Sequence, residues 1–198
     1  TRASGPTWVA ASSKDFAVKS QHKIRAKALE GKLSAAGKRF AIVVSRFNAF
    51  ITDRLLQSAF DGLVQCGAKA GSIRIVRVPG AFEIPSAART LAETKKYDAI
   101  ICLGCLLRGD TAHYDVIVNE VARGIGQSAQ ETGVPHAFGV LTCDTLAQAI
   151  DRAGLTMGNR GFAASLAALG MALPRHAAHP PPSPPVPTLQ PTNLATPL

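Results

Sequence analysis

The stretch GCLLRGDTAHYD (104–115) runs from an apolar segment into an arginine, a glycine, small polar residues and a histidine within a few positions. Three kinds of chemistry could use it. Cys102, Cys105 and His113 could hold a metal or a redox centre. Arg108, Gly109 and Asp110 spell an RGD adhesion tripeptide. Gly109, Asp110, Thr111 and His113 could form an anion-binding turn with a proton carrier beside it. The metal reading is weak, because CLGC lies inside a strand pattern, where positions i and i+3 face opposite ways. A second set of ligands would also be needed, so the cysteines read better as small apolar residues. Adhesion needs an exposed loop on a secreted protein, and nothing else here looks secreted. The anion turn has a physical basis. Gly109 allows close backbone approach, Thr111 adds a hydroxyl, and a helix starting near His113 would aim free N–H groups at an anion. Histidine exchanges protons near neutral pH, although a lone histidine at a helix start is more often structural. The company of other loops shifts the balance towards catalysis.

Those loops follow from the element pattern. FAIVV (40–44) is an apolar strand followed by SRFN. Residues 51–67 have helical spacing, with Thr52 or Asp53 placed to cap the helix and Gly67 to end it. SIRIVRV (72–78) reads as a strand ending at Pro79-Gly80. The helix after it tolerates Pro85 only near its first turn. DAIICLGCLL (98–107) and HAFGVLT (136–142) are further strands, separated by a long amphipathic helix. A helix capped by Asp144 and a last helix from Asn159 complete the core. The β-α-β-α-β-α-β-α order, with largely apolar strands, predicts a three-layer α/β/α sandwich around a four-stranded parallel sheet with right-handed crossovers. SRFN, VPGAFE, LLRGDTAH and LTCDT then all emerge at one sheet edge. There, helix N-termini favour ligand binding.

The chain of 198 residues is long enough for one domain with its own core. No apolar run approaches the ~20 residues of a membrane span. The four cysteines do not suggest a disulfide framework, and a reducing, cytoplasmic setting is favoured. The net charge of +9 is concentrated at the start: residues 1–40 hold nine Lys/Arg against two acids, residues 41–198 thirteen against eleven. This argues against a nucleic-acid role for the folded part. The basic arm, residues 1–28, could touch RNA, acidic protein or lipid, and faintly resembles a transit peptide. A solvated, flexible extension is its commoner meaning. Residues 174–198 hold nine of the thirteen prolines and are expected to be extended or disordered.

Between these tails, residues 29–173 resemble the lumazine synthase family. The resemblance is carried by EGKL (30–33), VSRFN (44–48), VRVPGAFEIP (76–85), GCLLRGDTAHYD, FGVLTCDTLAQAIDRAG (138–154) and GNRG (158–161), in order and at matching spacing. It implies a flavodoxin-like domain and a transferase of riboflavin biosynthesis. That enzyme condenses 5-amino-6-(D-ribitylamino)uracil with 3,4-dihydroxy-2-butanone 4-phosphate, giving 6,7-dimethyl-8-ribityllumazine, phosphate and water. No metal or cofactor is implied. His113 would carry protons. Phe47, Ala81, Phe82, Glu83, Cys105, Leu106, Leu107 and Phe138 would hold the ribitylaminouracil; Asp110, Thr111, Arg152 and Arg160 would hold the phosphate substrate. Phe138 and Arg152 would come from a neighbouring subunit, which makes a homopentamer obligatory. In many members twelve pentamers form a 60-subunit icosahedral shell. EGKL would add a strand to a neighbour's sheet, and riboflavin synthase is a candidate partner.

Two positions depart from the family pattern: Arg160 stands where lysine is frequent, and Ala163 where glutamate is frequent. They put the turnover rate in question. They also motivate a rival reading, a weak catalyst that binds lumazine or flavin or serves as a shell. A third reading has the basic arm packaging nucleic acid.

Overall fold

The computed structural model describes residues 33–154 and 158–178, with side chains to residue 172. Four strands, β1 (Phe40–Ser45), β2 (Ile73–Val78), β3 (Ala99–Leu107) and β4 (His136–Cys143), form a wholly parallel sheet in the order β2-β1-β3-β4. The helices are α1 (Ala49–Gln65), α2 (Ile84–Glu93), α3 (His113–Thr132), α4 (Leu146–Arg152) and α5 (Arg160–Ala178). The three-layer expectation holds. EGK of the EGKL segment, the basic arm and residues 179–198 lie outside the described residues.

Strand alternation sorts the apolar residues into two cores. Phe40, Ile42 and Val44 of β1, with Ile101, Leu103 and Cys105 of β3, pack against α1, α4 and α5. Ala41 and Val43, with Ile100 and Cys102, pack against α2 and α3. Cys102 and Cys105 therefore occupy opposite faces, and no metal-binding cluster of His, Cys, Asp or Glu exists among the described residues. Burial pushes both thiols up to about 12, which keeps them protonated and unreactive at neutral pH. No helix among the described residues is long and apolar enough to cross a membrane.

Three local expectations are corrected. Helix α1 starts at Ala49, after Asn48 in the left-handed region (φ 59°), rather than at a cap on Thr52 or Asp53. The Thr52 hydroxyl is buried and donates to the Ser45 carbonyl, 2.9 Å away. Asp53 instead pairs with Arg77. The cap of α4 is Thr145, whose hydroxyl accepts from the Gln148 N–H, not Asp144. Helix α5 continues to Ala178, so the boundary at 173 drawn on Pro174 falls inside a helix. The proline removes one helical donor there without ending the run. Gly67 does end α1 as expected, at φ 96°.

Helices α1 and α5 meet at two glycines. A Cβ on Gly161 would collide with the Leu55 carbonyl oxygen, and one on Gly62 with the Ser165 hydroxyl. The first obstacle is backbone, which cannot rotate away. Gly161→Ala should therefore destabilise the fold by about 1–3 kcal/mol in denaturant titration.

His136, at the start of β4, is half-buried between the Val134 carbonyl (2.8 Å from Nδ1) and the Ser128 hydroxyl (2.9 Å from Nε2). A proton on Nδ1 serves the carbonyl, and the bare Nε2 then accepts from Ser128. Burial lowers its pKa from the ordinary 6.5. The unfolded chain consequently takes up the proton first as pH falls. The neutral ring's contribution is full above pH 6.5 and is lost as pH drops through the lower folded value. Denaturant midpoints of the wild type should fall more steeply below pH 6.5 than those of His136→Gln.

Candidate active site

In a sheet of order β2-β1-β3-β4 the chain reverses its winding between β1 and β3, which opens a crevice at the strands' carboxyl ends. A cavity of about 730 Å³ lies there. It is lined by Phe47 and Asn48 after β1, Gly80 to Glu83 after β2, Leu106 and Leu107 at the end of β3, and Gly109, Thr111, His113, Tyr114 and Ile117 beyond it. Eight of the expected residues thus meet in one place: Phe47, Ala81, Phe82, Glu83, Leu106, Leu107, Thr111 and His113. Phe47 and Phe82 are 68% and 55% exposed, unusual values for large aromatic rings. Cys105 is buried behind the lining, and Asp110 is exposed between two residues that do line it.

Backbone geometry prepares the cavity. The Gly80 N–H donates to the Glu83 carboxylate (2.8 Å), which folds that acid back over the VPGAFE turn. Helix α3 begins after Ala112 with no side-chain cap, leaving first-turn amides to be satisfied from outside the helix. A Cβ placed on Gly109 would meet nothing within 4 Å, so the backbone there is open to a close ligand. Arg108 is held by Asp144 (2.8 Å) and Asp115 (3.1 Å), with its guanidinium 4.3 Å from the Tyr114 ring centre. A tethered arginine of this kind is ill suited to adhesive display.

Phe138, Arg152 and Arg160 are not in this cavity. They line a second one of about 290 Å³, with Gly139 to Thr142. Asn159 builds this part: its Nδ2 donates to the Ala153 carbonyl (2.5 Å) and its Oδ1 accepts from the Gly161 N–H (2.7 Å). One side chain thereby ties the end of α4 to the start of α5, the elements that carry the two arginines. Ala163 is exposed on α5. One protomer thus presents two separate cavities, one lined by His113 and one by Arg152 and Arg160.

A model of the 6,7-dimethyl-8-ribityllumazine synthase family matches residues 37–175. The chain belongs to that family. It is 56% identical over 144 residues to a 6,7-dimethyl-8-ribityllumazine synthase of Desulfotalea psychrophila, an alignment covering 73% of this chain and 93% of the relative. The family match begins a few residues after the 29 expected from sequence and reaches past Pro174 into α5.

Sequence reasoning passed over Asn48 and Asn159 as individual residues, although both sit in motifs it quoted. Asn48 reaches across the switch point, its Nδ2 donating to the Cys105 carbonyl (2.9 Å). Asparagine just before a helix was the available signal, since it tolerates the left-handed backbone better than most residues. Asn48→Ala loses the bond and strains the turn. It should cost about 1–2 kcal/mol of stability in denaturant titration.

Proposed function

We propose that this protein is a working lumazine synthase whose active site is shared between neighbouring copies. In this reading, 5-amino-6-(D-ribitylamino)uracil lies in the cavity at the β1/β3 crevice, and 3,4-dihydroxy-2-butanone 4-phosphate is clamped partly from the next protomer. What supports it is the division of labour within one chain. The cavity holding His113 is lined by no lysine or arginine, and the cavities lined by Arg152 and Arg160 by no histidine. Each lacks what the other supplies.

Roles follow from chemistry. Phe47 offers an aromatic face to the flat pyrimidine, and the lent Phe138 closes over it. Ala81 to Glu83 serve the ribityl chain and the ring, and the strand end at Cys105 to Leu107 serves the uracil edge. Because the Cys105 carbonyl already accepts from Asn48, its contribution is to hold the wall. The open amides around Asp110 and Thr111 receive the phosphate at the start of α3, and the lent Arg152 and Arg160 complete its charge neutralisation. Imine formation releases one water, elimination releases phosphate, and ring closure of the ribitylamino nitrogen onto the resulting carbonyl releases a second water. Each step moves protons, and His113 stands at the junction to carry them. Holding both substrates in register supplies much of the rate.

The same reading places the protein in a homopentamer in the cytoplasm, with the EGKL segment adding a strand at a neighbour's β2 edge. Closure of twelve pentamers into a shell and association with riboflavin synthase are its outer extensions. The catalytic domain then extends from residue 29 through α5, and the basic arm and proline-rich tail stand outside it.

With both substrates supplied, the wild type should form lumazine absorbance well above the uncatalysed rate. His113→Ala should lower kcat by about 10²-fold. Arg152→Ala should raise KM for the butanone phosphate by about 10–100-fold. Tight lumazine binding without turnover above background would favour the rival binding or shell role.

A further inference from the structure

A polar cluster joins the two cavities of a single protomer. Arg108, the first residue after β3, donates from Nε to Asp144 just after β4 (2.8 Å) and from Nη1 to Asp115 in the first turn of α3. Its guanidinium lies over Tyr114, and its backbone N–H donates to the Cys143 carbonyl (2.9 Å). Arg108 thus rests on Tyr114 and, through the Cys143 carbonyl, on the strand that carries Thr142. Tyr114 lines the cavity with His113, and Thr142 the cavity with Arg152. From Asp144 the connection continues: its N–H donates to Gln148 Oε1 (2.9 Å), and the Gln148 N–H donates to the Thr145 hydroxyl that caps α4. Helix α4 ends at Arg152.

We propose that Arg108 is a positioning residue for two neighbouring active sites at once, bracing the Gly109–Ala112 loop of its own site and the Arg152 arm that its protomer lends to the next. The proposal rests on the shared-site reading above. Arg108 and Asp115 clasp each other across the loop between them and so close it into a ring. Asp144 fixes the other end of the brace to the α4 cap. Exposed ion pairs add little to stability, and all three side chains are substantially exposed. The value of the arrangement is geometric. A planar fork holds two carboxylates in fixed directions while its face rests on an aromatic ring, which the point charge of a lysine cannot reproduce. The cation also offsets Asp115 and Asp144, which would otherwise repel a phosphate at Gly109–Thr111.

Mixed assemblies separate the two effects. Co-assembled His113→Ala and Arg152→Ala chains form some sites in which both contributing halves are intact, and activity should return. Arg108→Gln is then added to the Arg152→Ala chain, where it acts through the site's own half. In a parallel experiment it is added to the His113→Ala chain, where it acts only through the lent half. Each addition should raise KM for the butanone phosphate by about tenfold and leave KM for the ribitylaminouracil unchanged. An effect in the first arm alone, or in neither, overturns the double role. A general loss that moves both KM values equally points to a merely structural role and also overturns it. Failure of the parent mixture to recover activity overturns the shared-site reading itself, and this proposal with it. Native mass checks assembly of every mixture; where the glutamine variant does not assemble, Arg108→Lys keeps the cation without the fork and should show the same selective rise in both arms.

Discussion

Everything functional in this chain depends on one constraint: all four strands run the same way. Parallel strands deliver every β-to-α connection to a single edge of the sheet. The β2-β1-β3-β4 order then parts the connections after β1 and β3 to opposite faces, leaving the crevice that becomes the larger cavity. Its floor is held by one bond across that parting, from the Asn48 side chain to the Cys105 carbonyl. The start of α3 faces the same edge with amides that no capping side chain occupies.

The same constraint separates the arginines from the histidine within one copy. β4 is the edge strand of the sheet, and α4 and α5 after it pack on the same face as α1. Arg152 and Arg160 are thereby gathered into a cavity of their own. The exposed rings of Phe47, Phe82 and Phe138 lie on these surfaces, and a monomer in water gains nothing from displaying them. In the proposed assembly, the contact that covers the rings would also bring the cations to the phosphate.

Much of this was legible in the sequence. Apolar strand runs, helical spacing, Gly67 and the position of Pro85 identified the elements and their order, since each depends on local stereochemistry. Alternation alone placed Cys102 and Cys105 on opposite faces. What was not legible depends on partners distant in the chain. Thr52 resembles a helix cap until the Ser45 carbonyl is seen to claim its hydroxyl. Asp144 resembles one until Arg108, 36 positions away, is seen to hold it. Arg108 itself sat within a tripeptide whose familiar meaning is adhesion, while its real partners lie on α3 and after β4. The end of α5 was misjudged because one proline weakens a helix without always stopping it.

The most direct measurement is a crystal structure of the assembled protein with inorganic phosphate and a lumazine product. The account predicts phosphate held between the Thr111 amide of one copy and the Arg152 guanidinium of the adjacent copy, with His113 facing the ring. Phosphate bound by Thr111 with Arg152 remote from every copy's crevice would contradict it.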